Sequence, residues 1–167
     1  MCHRYLQERF EDNAETLNNY RDELEHEANV FAAWLLMPAN VLRDEFGRSA
    51  WSVDTLRAIG NRFESSLQSS GLRYVQLFKQ RPIAFIVSRD GMIVWAEKSE
   101  SVPFLTSFVF GDELPEYTQA RECAEHPDDF DQPPVESEYW HQNWRCVESQ
   151  YVDRSGLGYQ YTCLEFV

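Results

Sequence analysis

The chain has 167 residues, of which 43% are apolar and 14% aromatic, and its 15 Lys and Arg against 28 Asp and Glu give a formal net charge of −13. This length and composition suit one domain or two small ones and exclude a disordered or fibrous protein. The acidity opposes binding to nucleic acid or an anionic membrane, and the lack of a membrane-length apolar stretch predicts a soluble cytoplasmic protein.

The start of the sequence predicts two helices. Residues 3–12 have apolar side chains at helical spacing, and a longer amphipathic helix is expected over residues 20–37. Four apolar residues in that helix follow one another at steps of four, three and four: Leu24, Ala28, Phe31 and Leu35. Pro38 ends the helix, because proline disfavours helical geometry in the residue before it.

Three further helices are predicted before residue 80, over residues 39–46, 53–63 and 67–79. The last two follow serines that can cap a helix N-terminus, namely Ser52, and Ser65 or Ser66. This pair of helices also has the order of a helix-turn-helix unit, and seven basic residues outnumber four acidic ones over residues 43–81. The net charge of the whole chain nevertheless opposes DNA binding, so we favour a packing role.

After Pro82 the pattern favours strands. Residues 83–88 and 92–97 flank Asp90-Gly91, a typical hairpin turn. A second strand pair is expected over residues 144–152 and 159–167. The sequence therefore predicts an α+β protein with a helical half, residues 1–80, followed by a small antiparallel β-rich half, residues 81–167.

Three groups of residues in the second half have ordinary structural explanations. Residues 111–138 are acidic and interrupted by prolines, so we expect a long surface excursion rather than core. Trp140 and Trp144, with His141 between them, suit a binding platform, but packing of the strands against the helices is the favoured interpretation. The four cysteines lack the spacing of metal ligands, so we expect them to be reduced thiols. Three of them are expected to be buried as small apolar residues: Cys123, Cys146 and Cys163.

The most informative stretch is ELEHEANVFAAWLLMP, residues 23–38. It resembles the second active-site helix of the ImmA/IrrE family of zinc metallopeptidases, whose pattern is Glu-x-x-Ala-Asn-x-Phe-Ala followed by Leu-Leu-Met-Pro. Nine positions agree: Glu25, Ala28, Asn29, Phe31, Ala32, Leu35, Leu36, Met37 and Pro38. The resemblance covers about residues 1–80 and implies an incomplete zincin-like helical half.

The resemblance also implies a metal site. In the family, zinc is held by an HExxH helix and by the glutamate of the second motif, and two histidines four residues apart lie on one helix face. No HExxH is present here. If His3 is the second histidine, Met1 and Cys2 fill the x positions and His-Glu should directly precede Met1. We therefore expect that the chain is truncated within the motif, is catalytically inactive and binds zinc weakly or not at all.

By this comparison the metal ligands are His3 and Glu25, and Asn29, four residues after Glu25, is a hydrogen-bonding partner that orients the carboxylate. Taken alone, His3 is an ordinary surface histidine and Glu25 a solvated carboxylate. Glu27 is the alternative ligand if the motif is shifted, and His26 is expected at the surface.

The family implies a zinc-dependent endopeptidase whose full-length form cleaves a regulatory protein, such as a helix-turn-helix repressor. The main alternative is a non-catalytic module that has lost the HExxH residues and binds a protein partner. A third possibility, an acidic DNA mimic or antitoxin, depends on the ten carboxylates between Asp112 and Glu138, which a solvated loop explains equally well. A homodimer through the exposed N-terminal helices is also expected.

Overall fold

The computed structural model describes residues 35–102, 109–127, 132–154 and 157–167. These ranges contain four complete α-helices and a five-stranded antiparallel sheet, which confirms the α+β class. The helices are α1 (Ala39–Phe46), α2 (Val53–Phe63), α3 (Leu67–Leu77) and α4 (Gln119–Glu125), and the strands are β1 (Ile83–Arg89), β2 (Met92–Lys98), β3 (Val135–Ser137), β4 (Cys146–Val152) and β5 (Tyr159–Phe166). No helix in the described ranges has the length and apolarity needed to cross a bilayer.

The helices α2 and α3 begin where the sequence predicts. The Ser52 hydroxyl accepts a hydrogen bond from the Thr55 amide at 3.4 Å, and the Ser66 hydroxyl accepts one from the Ser69 amide at 3.1 Å. Each serine thereby satisfies an amide that has no partner inside its helix. The α3 helix ends at Leu77, two residues earlier than predicted, because Phe78 leaves helical geometry.

The strand pairs follow the predicted hairpins. Asp90 and Gly91 have φ angles of +52° and +77°, which is the left-handed geometry of the turns that join two twisted antiparallel strands. Strand β5 lies between β1 and β4, so the sheet order is β2-β1-β5-β4-β3.

The sheet has a core on each face. The helices α1, α2 and α3 pack on one face through a cluster that includes Leu56, Tyr74 and Phe85. The other face packs against the segment containing α4, where Leu114 and Ala120 contact sheet residues such as Leu164. The first cluster draws residues from both halves of the chain. The proposed boundary between residues 80 and 81 stays a prediction.

The prediction of a surface excursion over residues 111–138 is wrong for its central part. Leu114 is 1% exposed, and Ala120 and Cys123 are completely buried. The Thr118 hydroxyl caps α4 by accepting a hydrogen bond from the Arg121 amide at 3.1 Å. Glu122 and Glu125 are exposed on the other side of α4, so the acidity of this helix conceals a buried side.

Replacing Gly71 with alanine is expected to destabilise the fold by about 2 kcal/mol. A Cβ atom there would lie 2.3 to 2.7 Å from three carbons of the Phe85 ring. That ring is fully buried and faces the rings of Trp51, Trp95 and Tyr161, so it has little room to move. The gain in helix propensity, about 1 kcal/mol, is smaller than the cost of overpacking. Urea unfolding measures the difference.

The control for Gly71→Ala is a double-mutant cycle with Phe85→Leu. The smaller side chain makes room for the methyl group, so the double variant should lose less stability than the sum of the two single losses. Additive losses would contradict a steric origin.

The three described cysteines are expected to resist alkylation in the folded protein. Burial raises the pKa of Cys123 and of Cys146 to about 12, and raises that of Cys163 well above its usual value. Because the thiolate is the nucleophile, iodoacetamide at pH 8 should modify these residues only after unfolding in urea. Peptide mapping by mass spectrometry scores each cysteine separately. Rapid labelling of Cys163 in the native protein would contradict the prediction.

Candidate functional site

The predicted metal ligands His3 and Glu25, and their neighbour Asn29, lie outside the described residues. The same is true of the predicted helices over residues 3–12 and, apart from its last residues, 20–37. The structure describes the motif from Leu35 onward. The geometry of the site is therefore visible at the C-terminal end of the motif, where Leu35, Leu36, Met37 and Pro38 lead into α1.

Met37 anchors this end of the motif in the core. Its side chain is completely buried, whereas Leu35 and Leu36 are exposed. The Ser65 hydroxyl contacts the Met37 sulfur at 3.7 Å, and the Nε atom of Arg73 donates a hydrogen bond to the Met37 carbonyl at 3.1 Å. The α2–α3 connection and α3 thus both hold the end of the motif.

Arg73 is an unusual side chain for this position because it is only 3% exposed. Burial, together with the nearby positive charge of Arg43, lowers its pKa, although an arginine remains protonated under ordinary conditions. A buried cation that donates to a main-chain carbonyl fixes that carbonyl strongly, since a charge-assisted hydrogen bond is stronger than a neutral one.

The helix α1 starts directly after this anchor. The Leu42 amide donates to the Pro38 carbonyl at 3.0 Å, and Leu42 is fully buried. Proline suits this position because a helix leaves its first amides without internal partners. The Leu-Leu-Met-Pro end of the motif therefore joins two helical segments through one buried residue and one proline.

The chemistry of the predicted ligands suits zinc, since one imidazole and one carboxylate are donors that this metal accepts. Within the described ranges, no three His, Cys, Asp or Glu side chains are grouped so as to hold a metal ion. The predicted ligands His3 and Glu25 lie outside these ranges.

Comparison with protein families gives an independent result. Residues 1–74 match a family of peptidases described as the IrrE N-terminal-like domain. Residues 1–74 are therefore similar to an ImmA/IrrE domain. The match includes the predicted ligands, the anchored end of the motif, α1, α2 and most of α3. No curated protein matches the chain.

The described part of the matched region is joined to the sheet through the connection between α1 and α2. The Trp51 amide donates to Glu165 on β5 at 3.0 Å, and the Trp51 indole donates to the Ala84 carbonyl on β1 at 2.9 Å. Arg81 forms an ion pair with Glu165 and donates to the Ser49 carbonyl at 2.8 Å. This region and the sheet therefore share polar contacts as well as a core.

A second polar site, which the sequence analysis did not identify, lies on the opposite face of the sheet. Glu148 on β4 is 1% exposed, and its carboxylate accepts hydrogen bonds from the Gln119 amide at 2.8 Å and the Trp140 indole at 2.7 Å. Burial raises the pKa of this carboxyl group, and these hydrogen bonds oppose the rise. Strand β4 offered a signal, because its alternate positions Glu148 and Gln150 are polar where a strand buried on that face is expected to be apolar.

The structure decides whether Trp140 and Trp144 form a binding platform or pack the strands against the helices. Trp140 is buried and packs on the α4 side of the sheet, whereas Trp144 is 44% exposed. His141 is buried, and its Nδ1 atom accepts a hydrogen bond from the Asn143 amide at 3.1 Å. Trp140 thus packs as favoured, but against the face opposite α1, α2 and α3, and the three residues do not form one exposed platform.

Proposed function

We propose that the ImmA/IrrE domain is a zinc-dependent endopeptidase that acts in the cytoplasm on a DNA-binding regulatory protein, such as a helix-turn-helix repressor. The observation that carries this proposal is the family match over residues 1–74, which includes both His3 and the motif from Glu25 to Pro38. The buried anchor at Met37 supports it, because the end of the motif is held by two separate elements of the fold.

In the proposed site, His3 and Glu25 hold the metal, and Asn29, one helical turn from Glu25, orients its carboxylate. Bound zinc would polarise the scissile carbonyl and lower the pKa of a coordinated water to near neutrality. Met1 and Cys2 fill the two x positions of the family pattern. The first histidine and the proton-accepting glutamate would therefore be the two residues directly before Met1.

The first test reads the codons directly upstream of Met1 in frame. Codons for His-Glu support the peptidase, and a stop codon or unrelated residues would remove the catalytic proposal. In the latter case the non-catalytic binding module becomes the better explanation.

The second test is functional. Protein made from the extended reading frame is incubated with helix-turn-helix repressors from the source genome, with and without a zinc chelator. We expect cleavage of a repressor that the chelator abolishes, and no cleavage by residues 1–167 alone. Chelator-insensitive cleavage, or tight zinc binding by residues other than His3 and Glu25, would contradict the proposed site.

A further inference from the structure

Arg73 makes a charged contact at the end of the predicted active-site helix. Leu35 and Leu36 are helical and Met37 follows them, so the Met37 carbonyl lies at a helix C-terminus. Carbonyl groups at that end have no amide partner inside their helix, and a positive charge near them is favourable. The Nε atom of Arg73 donates to this carbonyl at 3.1 Å. Arg73 therefore holds the end of the helix that, by the family motif, contains Glu25.

The burial of Arg73 indicates that this contact does more than satisfy one carbonyl. Arg73 is 3% exposed, and its burial and the nearby charge of Arg43 both lower its pKa. A neutral donor would satisfy the same carbonyl with a smaller loss of hydration. A buried charge is a poor source of stability, and its best-attested use in proteins is to fix one register or arrangement against others. The cost of burying this guanidinium thus favours a role in fixing a position.

Arg73 extends from a helix that is itself attached to the sheet. On the neighbouring residue of α3, the Tyr74 ring stacks on the Trp51 ring, with centroids 4.6 Å apart and an angle of 7° between the planes. The Trp51 indole in turn donates to the Ala84 carbonyl of β1 at 2.9 Å. Both rings belong to fully buried residues. Because a shift of α3 would break these contacts, Arg73 holds Met37 at a defined place relative to the sheet.

The position of the helix end matters for a metal ligand on the same predicted helix. Glu25 precedes Met37 by 12 residues, which corresponds to about 18 Å of helix. A slip of one residue would move the Glu25 carboxylate about 1.5 Å along the axis and turn it by about 100°. A metal ligand must be held to within about 0.5 Å. The Met37 side chain in the core and its carbonyl on Arg73 give two points of attachment that oppose such a slip.

We propose that Arg73 is a positioning residue for the zinc site: by holding the Met37 carbonyl, it sets the register of the helix that presents Glu25. The anchoring rests on contacts between described residues, and only its consequence for zinc rests on the proposed function. Because the cationic donor produces the effect, a variant that keeps a cationic donor should keep part of it.

The first test is hydrogen exchange of the chain of residues 1–167, read by mass spectrometry of peptides that cover residues 25–37. Arg73→Met keeps an unbranched side chain but removes the donor. We expect it to speed exchange there at least about tenfold, since a hydrogen bond from a charged group is strong enough to change a local opening equilibrium by that factor. Arg73→Lys, which retains a cationic donor, should speed exchange less. Equal effects of the two variants would overturn the proposal.

Gln160 provides the matched control for Arg73→Met. It is 5% exposed, and its Nε2 atom donates to the Ala120 carbonyl at 2.8 Å on the opposite face of the sheet. Gln160→Met should speed exchange near α4 but not in residues 25–37. An equal effect of both variants on residues 25–37 would indicate a general loss of stability and overturn the proposal. So would complete exchange of these residues in the wild type at the earliest time, because no helix would then be held.

The second test measures zinc affinity of the extended protein by competition with a chelator. Arg73→Met should weaken zinc binding roughly tenfold, the lower end of the loss expected for a residue that supports a ligand, and Arg73→Lys should restore part of it. Gln160→Met should leave the affinity unchanged. An unchanged affinity in Arg73→Met would overturn the positioning role.

The two proposals fail separately. A wild-type extended protein that binds no zinc contradicts the proposed function, and hydrogen exchange still decides whether Arg73 holds the helix end. Tight zinc binding that Arg73→Met does not weaken contradicts the positioning role and leaves the zinc site intact.

Discussion

Glu25→Gln should lower both the zinc affinity and the cleavage rate of the extended protein by at least about 100-fold, since loss of a residue that merely supports a ligand costs 10- to 100-fold. Glutamine keeps the size of the side chain but removes the charge that favours a divalent metal. Zinc content after dialysis and the rate of repressor cleavage are the measurements. His3→Ala should give a loss of the same order.

The neighbouring acidic residues provide the controls for Glu25→Gln. Glu23→Gln should leave zinc content unchanged, because the motif assigns that residue no role at the metal. Asn29→Ala should reduce affinity by about 10- to 100-fold, as expected for a residue that orients a ligand. If Glu27→Gln removes zinc while Glu25→Gln does not, the assignment of the ligand is wrong.

The elements that could be predicted from the sequence are those with local causes. Ser52 caps α2 through an amide three residues ahead, and Asp90-Gly91 adopts a turn that depends on two residues. The anchor residue Met37 was identifiable as part of a motif. Its burial and its hydrogen bond from Arg73 were not, because Arg73 is 36 residues away in sequence.

The segment containing α4 shows where sequence reasoning fails. Its composition is that of a solvated loop, yet Ala120 and Cys123 are buried beneath exposed glutamates. The partner that makes this possible is Glu148, which accepts a hydrogen bond from the Gln119 amide across 29 residues of sequence. The polar residues Glu148 and Gln150 of β4 hint at a buried polar site, but no local pattern shows that Glu148 accepts a hydrogen bond from the first residue of α4, so this helix was missed.

For the candidate metal site the reverse holds: the sequence identifies the residues but not their geometry. A family motif names His3, Glu25 and Asn29 with no knowledge of the fold, but spacing along the chain does not determine how far His3 lies from Glu25. That separation depends on how the two predicted helices pack, which is a tertiary property. The zinc measurements above are therefore the direct test of whether the two side chains share one metal.

Replacing Glu148 with alanine is expected to destabilise the fold by about 3 kcal/mol. The change leaves several buried donors without their acceptor, among them the Gln119 main-chain amide, the Trp140 indole and the Gln150 side-chain amide. The wild-type protein also bears the cost of a buried carboxylate, which partly offsets this loss. Urea unfolding should show the difference, whereas Glu138→Ala, at an exposed position, should change stability by less than about 0.5 kcal/mol.

The same carboxylate should also set part of the pH dependence of stability. Burial raises the pKa of Glu148 above its unfolded value, so the folded state holds its proton to higher pH than the unfolded state does. Its contribution to the free energy of unfolding is then fully present below the unfolded pKa and decreases as pH rises through the folded pKa. Glu148→Gln cannot titrate and should lack this decrease. The measurement is the free energy of unfolding of the wild type minus that of the variant, between pH 4 and 7. The other carboxylates titrate in both proteins, so their effects cancel in this difference. The difference should fall as pH rises. A difference that rises with pH would mean that the hydrogen bonds from Gln119 and Trp140 outweigh burial and that Glu148 is stabilised as the anion.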